Sequence, residues 1–281
     1  MRYGLKPLAR EVFKLTIDKS LKEDEVWRIR ALPLFEGQAA NVLRICEYGF
    51  SEILNNAADH SEGSTVRIEI TIGRDLIEMM IADNGVGIFK KIQDRFHLED
   101  PRVAVLELTK GKLTTDPKRH TGEGIFFVSR AFDGFIMQSG TLSFSHSEPD
   151  GDWIRDVQGQ VKGTRVTMHI NPNSDRTIQN VFDRFASTDQ NYSFVLTQVP
   201  VALARIGSEN LISRSQAKRL LARFEKFKEV SLDFKGIDLL GQAFADEVFR
   251  VFAQEHPQVK LRWVNANKDV DKMIRRAQAA A

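Results

Sequence analysis

A glutamate and an asparagine stand four residues apart in the stretch SEILNNAADHSEG, residues 51–63. Apolar or small side chains recur around them at a three-to-four spacing, which predicts a helix over residues 41–58 with one side on a core. Side chains four apart project from the same side of a helix, so Glu52 and Asn56 are predicted to share one cavity. A carboxylate can accept a proton and an amide oxygen can bind a metal ion, but taken singly Glu52 could be a solvated helix residue and Asn56 a polar residue near a helix end.

Glycine-rich stretches follow at DNGVGI (residues 83–88) and TGEGI (residues 121–125), and a Gly-Thr pair follows at residues 163–164. Each stretch has an ordinary structural explanation, because Asn-Gly is the strongest short turn signal and TGEGI could be a loop that feeds a helix. TGEGI lacks the Lys-Ser/Thr of a phosphate loop and the full spacing of the dinucleotide fingerprint. Neither of those two nucleotide-binding folds is therefore supported.

The surrounding residues predict the elements that would position these groups. TVRIEITI (residues 65–72) alternates apolar and polar side chains, LIEMMIA returns after a turn, and later strands are predicted near 135–139, 141–147 and 163–170. A helix, a hairpin, a glycine-flanked loop, a second helix and three further strands predict helices layered on a mixed sheet. The first part of the chain is therefore predicted to be an α+β two-layer sandwich.

A different pattern begins near residue 192, where short strands and helices alternate. Ser213, with Gln216 three residues later, has the capping-box spacing of a helix start. Strands that alternate with helices predict a small α/β domain, which makes the fold class of the chain α/β. The limits predicted from the sequence are an N-terminal segment 1–38, a first domain 39–172, a linker 173–192 and a second domain 193–281.

The composition narrows the classes of function. The 281 residues are 42% apolar and 28% charged with a formal net charge of +2, which fits a globular protein and is too balanced for a nucleic-acid surface. Cys46 is the only cysteine, so no disulfide framework is expected. The charged N-terminal stretch offers neither a secretory core nor a spanning segment, so a cytoplasmic location away from membranes is expected. The six scattered histidines argue against a metal site made of protein ligands alone.

The order of the motifs is more specific than any motif alone. Glu-x-x-x-Asn on a helix, Asp-x-Gly-x-Gly after a hairpin, Gly-x-Gly before a helix and Gly-Thr at a strand start follow one another within residues 40–170. In this order they resemble the GHKL superfamily, which includes DNA gyrase, the large heat-shock chaperones, histidine kinases, mismatch-repair ATPases and anti-sigma-factor kinases. The resemblance implies the Bergerat ATP-binding fold, with ATP and Mg²⁺ as cofactors.

The resemblance implies a role for each matching residue that would contact the nucleotide. Asp83 would accept the adenine amine, which favours ATP over GTP because a carboxylate only accepts hydrogen bonds. Gly85 and Gly87 would leave room for the ring and the sugar. Gly122 and Gly124 would hold the phosphates at the positive end of a helix.

The remaining motif residues would serve the metal, the reaction and the base. Asn56 would bind Mg²⁺, and Glu52 would be the base that polarises an attacking water or hydroxyl. Thr164 resembles the threonine that reaches adenine through water, although an ordinary strand threonine would look the same. His60 and the residues around it would end the helix at the rim of the site.

A polar stretch between Gly87 and Gly122 stands in the place of the superfamily's mobile ATP lid. Its cations are Lys110, Lys112, Lys118 and Arg119. They are either residues of a solvated basic loop or the source of a cation that meets the γ-phosphate, and the sequence does not choose between these alternatives.

The stretch VSLDFKGIDLLGQAFADEVFRVF resembles a STAS-type domain, the fold of anti-anti-sigma factors, within residues 195–281. In that family a serine at a helix start accepts phosphate, whereas Gly241, Gln242 and Ala243 stand here without a hydroxyl, so phosphorylation in cis is not expected. A cis histidine kinase is not expected either, because no histidine precedes His60. The whole chain is similar to bacterial regulators of the anti-sigma-factor-kinase and anti-anti-sigma type.

Two functions from different classes agree with these features. The first is a Mg-ATP-dependent regulatory switch with slow ATPase activity, or with phosphotransfer to a Ser or Thr hydroxyl, coupled to the STAS-like domain. The second is a nucleotide-sensing module in transcription control that binds ATP without turnover. Both imply a protein partner such as a regulator or sigma-type factor, and both are compatible with a homodimer. Contact with a membrane or directly with nucleic acid is not expected.

Overall fold

Alternating apolar side chains build the centre of the first sheet. Every second residue of β2 (Thr65–Ile72) is buried from Val66 onwards, and every second residue of β3 (Ile77–Asp83) is buried from Ile77 onwards. The two strands pair antiparallel, and β1 (Ala9–Thr16) pairs antiparallel with the other side of β2. Because successive side chains of a strand point to opposite faces, this alternation places one face of the sheet on a core.

A long hairpin completes this sheet. β4 (Gly134–Ser147) and β5 (Gly151–Ile170) pair antiparallel, β5 also pairs with β3, and the strand order is β1-β2-β3-β5-β4. The strands predicted at 135–139 and 141–147 form one strand, because the irregularity at Gly140, where φ is +59°, shifts the register without ending the pairing.

Helices lie between these strands and the later ones. They are α1 (Glu23–Val26), α2 (Ala40–His60), α3 (Ile88–Phe96), α4 (Pro101–Lys110), α5 (Gly124–Ala131), α6 (Ile178–Phe185), α7 (Arg214–Leu221), α8 (Gln242–Asp246), α9 (Ala253–Glu255) and α10 (Lys268–Ala279). α2 buries an apolar stripe that includes Phe50 and Leu54, as its sequence predicts. It packs on α5 and on β3, so the residues between its ends are held close to the sheet.

The computed structural model describes residues 6–114, 121–148, 150–186, 193–207 and 209–280. The contacts divide the chain into two units. Unit 1 contains Met1–His97 and Thr114–Val181, and unit 2 contains Leu98–Leu113 and Phe182–Ala281.

Unit 2 is built on a parallel sheet. β6 (Leu196–Pro200), β7 (Glu229–Asp233) and β8 (Lys260–Val264) lie in that order, and both pairings are parallel. The capping box predicted for α7 is present, because the Ser213 side chain accepts from the Gln216 N–H and the Gln216 side chain accepts from the Ser213 N–H. Alternating strands and helices thus give the small α/β domain that the sequence predicts.

The predicted α/β class is confirmed, and the relative direction of paired strands differs between the two units. The described strand pairs of unit 1 are antiparallel, two of them as the hairpins β2–β3 and β4–β5, and those of unit 2 are parallel. The sheet predicted as mixed in the first domain thus has antiparallel pairs throughout its described strands, and the parallel pairs lie in the sheet of unit 2.

The two units divide the chain differently from the limits predicted from the sequence. Residues 9–16 form an edge strand of the first sheet, and α6 lies in the stretch predicted as a linker. Residues 98–113, which lie between the motifs of the first domain in the sequence, belong to unit 2.

Candidate functional site

Asp83 ends β3 and is nearly buried, with 9% of its surface exposed. Its Oδ1 accepts hydrogen bonds from the backbone N–H of Gly85 at 2.8 Å and from that of Thr164 at 3.3 Å. Burial raises the pKa of the Asp83 carboxyl above its ordinary value, and the hydrogen bonds oppose this rise. The carboxylate is therefore held in one position by its own loop and by β5.

The Asp-x-Gly-x-Gly stretch is a loop between a strand and a helix rather than a hairpin turn. β3 pairs with β2 and β5, and the loop runs from Asp83 into α3. A side chain at Gly85 would collide with the carbonyl oxygen of Ser61, the residue that follows α2, and the same oxygen accepts the Val86 N–H at 2.9 Å. The close approach requires glycine, and it fixes the loop to the end of α2.

Gly163 and Thr164 on β5 lie against the same loop. Gly163 has a φ of +69°, and a side chain there would collide with the backbone carbonyl oxygen of Asp83. Thr164 Oγ1 accepts the N–H of Ile88, the first residue of α3, at 3.0 Å. The Gly-Thr pair therefore connects Asp83 to the start of α3.

The side chain of Glu52, a residue of α2, lies against the start of α5. Glu52 and Asn56 are both half-buried on α2. A side chain at Gly124, where α5 begins, would collide with the Glu52 carboxylate. Gly122, two residues earlier, has a φ of +74°. A helix start carries unpaired backbone N–H groups and the positive end of the dipole, so it attracts anionic groups.

Asn56 lies between two fixed points of α2. Four residues before it Glu52 contacts Gly124, and five residues after it Ser61 holds the loop that follows Asp83. At a rise of about 1.5 Å per residue these two points are roughly 6 and 8 Å from Asn56 along the helix axis. The Asn56 amide makes no hydrogen bond with another residue in the part of the chain that the structure describes. Its oxygen can therefore serve a ligand.

Tyr48 and Glu123 surround Glu52 and were not among the predicted site residues. Tyr48 is one turn before Glu52 on α2, and Glu123 directly precedes Gly124. Burial raises the pKa of the Tyr48 hydroxyl, and the carboxylates of Glu52 and Glu123 raise it further. The signal for Tyr48 was its position four residues before Glu52, and the signal for Glu123 was its place between two glycines.

Ser139 and Lys91 also hold the site and carried no distinguishing sequence signal. Ser139 Oγ donates to the Gly163 carbonyl oxygen at 2.9 Å, and a side chain at Gly87 would collide with that hydroxyl. Lys91 Nζ on α3 donates to the His60 carbonyl oxygen at the end of α2, at 2.7 Å. These contacts fix the glycine loop relative to the strand and the helix on either side of it.

The cations predicted for the lid do not form one group. Lys118 and Arg119 lie outside the described residues. Lys110 is wholly buried in unit 2, where its ammonium pairs with Glu107. Lys112 Nζ, also in unit 2, donates to the Lys226 carbonyl oxygen at 3.0 Å. Lys110 is excluded as a phosphate-binding cation in this structure, because its ammonium is paired and has no exposed surface.

Family comparisons agree with the two resemblances. Residues 44–174 match the family described as histidine kinase-, DNA gyrase B- and HSP90-like ATPase. The second part of the chain, residues 216–271, matches the family described as STAS-like domain of unknown function. The chain therefore combines a GHKL-like ATPase region with a STAS-like region. No curated protein matches the chain. Within the described ranges, no helix is both long enough and apolar enough to cross a bilayer.

The GHKL-type domain implies a nucleotide, usually with Mg²⁺, and the residues fit both. Asp83 is a fixed, nearly buried acceptor beside glycines that leave no room for a Cβ. The start of α5 at Gly124 suits phosphate oxygens. Asn56 offers an amide oxygen, the kind of hard ligand that Mg²⁺ takes alongside phosphate and water.

The STAS-like domain departs from the phosphate-accepting pattern in the expected place. Gly241 is the N-cap of α8, and Gln242 and Ala243 are the first residues of that helix. A Cβ at Gly241 would lie against the backbone of Ile212, so a serine there would need a local rearrangement as well. These positions therefore offer no hydroxyl to a kinase.

Proposed function

We propose that the chain is a regulatory protein that binds Mg-ATP in unit 1 and turns it over slowly. Turnover is hydrolysis, or phosphotransfer to a Ser or Thr hydroxyl of a partner, and the STAS-like domain carries the output. One observation supports this most strongly. Asp83 Oδ1 accepts N–H groups from its own glycine loop and from the Gly-Thr pair on β5, two motifs that are about eighty residues apart in the chain.

The proposed base selection follows from the donor and acceptor properties of Asp83. The exocyclic amine of adenine donates hydrogen bonds, and an ionised carboxylate accepts them. The guanine carbonyl at the corresponding position also accepts, so a guanine base would place two acceptors against each other. With little water present to screen them, that arrangement costs binding free energy.

The proposed reaction needs one base and one helix start. The attacking oxygen of water or of a hydroxyl forms a bond to the γ-phosphorus, the bond from that phosphorus to the bridging oxygen breaks, and ADP leaves. Glu52 takes the proton from the attacking oxygen, and the N–H groups at the start of α5 stabilise negative charge on the phosphates. Mg²⁺, held by Asn56, would neutralise further phosphate charge.

The proposed output is a protein interaction in the cytoplasm, where ATP is available. The STAS-like domain lacks a hydroxyl at Gly241, Gln242 and Ala243, so a phosphoryl acceptor would be supplied by a partner. Such a partner is a regulator or sigma-type factor, and a second copy of this chain is compatible with the same residues. A near-neutral formal charge of +2 supports a protein partner rather than nucleic acid.

The test uses purified full-length protein with Mg-ATP labelled at the γ-phosphate, and it follows free phosphate and protein-bound label together. Release of free phosphate supports hydrolysis, and label on an added or endogenous protein acceptor supports phosphotransfer. ATP binding without either product would replace turnover by nucleotide sensing. Absence of ATP binding in a calorimetric titration would overturn the proposal.

A matched pair of variants assigns the chemistry to Glu52. Glu52→Gln removes the base and should lower turnover by roughly a hundredfold to ten-thousandfold with ATP affinity nearly unchanged. Glu47→Gln makes the same change at an exposed position of α2 and should leave turnover unchanged. Equal turnover in the two variants would remove Glu52 from the mechanism.

A further inference from the structure

Residues 98–113 lie between two motifs of unit 1 in the sequence, yet they fold as part of unit 2. The family model of the ATPase domain spans residues 44–174 and so includes them. The chain leaves unit 1 after His97, ten residues beyond Gly87, the last glycine of DNGVG, and it returns at Thr114, before Gly122. Unit 2 therefore contains a segment whose two ends are both joined to the candidate nucleotide site through the covalent chain.

α4 is the core of this segment and has well-defined ends. The Asp100 side chain caps its start by accepting the Arg102 N–H at 2.7 Å, and Pro101 occupies the first turn. Gly111, with a φ of +78°, ends it. All residues from 103 to 110 are buried, and the helix packs against β6 and the short 3-10 helix Val201–Ala204. Strong end signals and the burial of residues 103–110 identify α4 as a structural helix of unit 2.

A buried charge cluster fixes the position of α4 in unit 2. Lys110 Nζ pairs with Glu107 on the preceding turn and donates to the Ala222 carbonyl oxygen at 2.9 Å. Arg223 Nη1 donates to Glu107 Oε2 at 2.7 Å, and its Nη2 donates to the Gly111 carbonyl oxygen at 2.7 Å. Burial lowers the pKa of the Lys110 ammonium, while the Glu107 carboxylate opposes this. The cluster bonds both the side chains of α4 and the carbonyl that ends it.

Further contacts continue this attachment on both sides of the helix. Arg219 Nε donates to Glu99 at 2.6 Å, before the helix begins. Thr197 Oγ1 on β6 donates to the Lys110 carbonyl oxygen at 2.8 Å. After the helix, the Lys112 ammonium lies over the ring of Phe227. The whole segment is thus bonded to unit 2 from residue 99 to residue 112.

Buried ion pairs of this kind specify position more than they add stability, because desolvation offsets most of the Coulomb attraction. An element held in one position by such a cluster has a defined docked arrangement and can lose it when a constraint at its ends changes. Any ligand that changes the constraints at His97 or Thr114 must therefore change the docking equilibrium of α4. By linkage, docking of α4 must change the affinity for that ligand by the same factor.

We propose that residues 98–113, anchored by Glu107, Lys110 and Arg223, transmit the nucleotide state of unit 1 to the STAS-like domain. The proposal rests on ATP binding in unit 1, as proposed above. In this proposal α4 is the element that docks on unit 2. Its docking surface is formed by β6, Val201–Ala204 and the end of α7. The STAS-like domain then responds to nucleotide binding because α4 packs in unit 2 while both of its ends continue into unit 1.

The first experiment measures amide hydrogen exchange of the full-length protein with and without a non-hydrolysable ATP analogue and Mg²⁺. Nucleotide should change protection in peptides from α4 and from α7 to β7 as well as in the glycine loops of unit 1. Protection confined to the glycine loops, with α4 and unit 2 unchanged, would overturn the coupling and leave ATP binding standing. No protection anywhere, together with no calorimetric binding, would overturn the proposed function itself.

The second experiment tests reciprocity with a matched pair of variants. Arg223→Lys keeps the charge and the strained backbone, where φ is +68°, but cannot bond Glu107 and Gly111 together. Arg262→Lys is the control, because Arg262 on β8 pairs with Glu229 and makes no bond to the segment 98–113 among the described residues. Calorimetry measures the affinity of each full-length variant for the analogue with Mg²⁺.

Arg223→Lys should change nucleotide affinity by roughly twofold to thirtyfold, and Arg262→Lys should leave it unchanged. The sign is fixed by the first experiment. If nucleotide increases protection of α4, Arg223→Lys must weaken binding, and if nucleotide decreases protection, it must strengthen binding. Equal affinities in the two variants, or a shift of the opposite sign, would overturn the proposal.

Discussion

Helices α2 and α4 each place a glutamate, Glu52 and Glu107, beside buried apolar residues, but these two glutamates have different surroundings. Glu52 on α2 is half-buried and lies at the start of α5, beside Gly124. Glu107 on α4 is 4% exposed and lies between the cations of Lys110 and Arg223. The carboxylate of α2 faces a helix end that suits phosphate, whereas the carboxylate of α4 is neutralised by side chains. Glu107 is therefore a packing residue held by two cations, whereas Glu52 is the residue that we propose as the base.

The largest expected difference between the two helices is in stability. Glu107→Gln leaves Lys110 and Arg223 without a carboxylate in a buried place, and it should lower the free energy of unfolding by about 3–5 kcal/mol. Glu52→Gln should change it by at most about 0.5 kcal/mol, because that side chain is partly solvated. Denaturant titrations of the two variants measure both values. Equal losses of unfolding free energy would show that the two glutamates contribute equally to stability.

Asp83→Asn should produce the next largest effect, on binding rather than on stability. An amide presents donors to the adenine amine and leaves a polar group poorly paired, so ATP affinity should fall by roughly a hundredfold or more. Asp75→Asn, in the exposed turn between β2 and β3, is the matched control and should bind like the wild type. Calorimetric titration decides, and an unchanged affinity of Asp83→Asn would count against the adenine assignment.

Gly163 in unit 1 and Gly236 in unit 2 have similar positive φ angles, so replacing each by alanine compares the effect of local packing in the two units. Gly163→Ala adds both a positive-φ strain and a collision with the Asp83 carbonyl, and it should lower the free energy of unfolding by about 2–4 kcal/mol. Gly236→Ala in unit 2 adds only the strain, because nothing lies within 4 Å of its added Cβ, and it should cost about 1–2 kcal/mol. Thermal unfolding of the two variants measures the difference, and a larger loss for Gly236→Ala would contradict it.

Opposite pH slopes are the smallest expected effect. The pKa of Asp83 is raised in the folded state, so its contribution to stability is present below 3.8 and is lost as the pH rises through the folded pKa. The pKa of Lys110 is lowered, so its contribution to stability is present above 10.5 and is lost as the pH falls through the folded pKa. The differences between wild type and Asp83→Asn, and between wild type and Lys110→Met, isolate each group. Slopes of the same sign would contradict these assignments.

The sequence predicted the fold class and the two families because their signals are local. Strict alternation in β2, the apolar stripe of α2 and the capping box at Ser213 each depend on residues a few positions apart. The order of the glycine motifs added the family. Each of these features can be recognised without knowing which distant residues meet.

Long-range packing explains what the sequence did not predict. The contact of Gly85 with Ser61 and that of Gly163 with Asp83 follow from strand order, which no local pattern contains. The assignment of Lys110 to unit 2 depends on Arg223 and Ala222, more than a hundred residues away. A lysine in a polar stretch is typical of a solvated loop, although the Lys110 side chain has no exposed surface.

The two domains of this chain are interleaved rather than arranged in tandem. A fragment that begins after α6 would lack the helix that packs on β6, and the apolar surface beneath it would be open to aggregation. Recombination could not exchange unit 2 as one continuous segment, since its residues 98–113 are encoded within the stretch that matches the ATPase family. The two parts of such a chain are therefore inherited together.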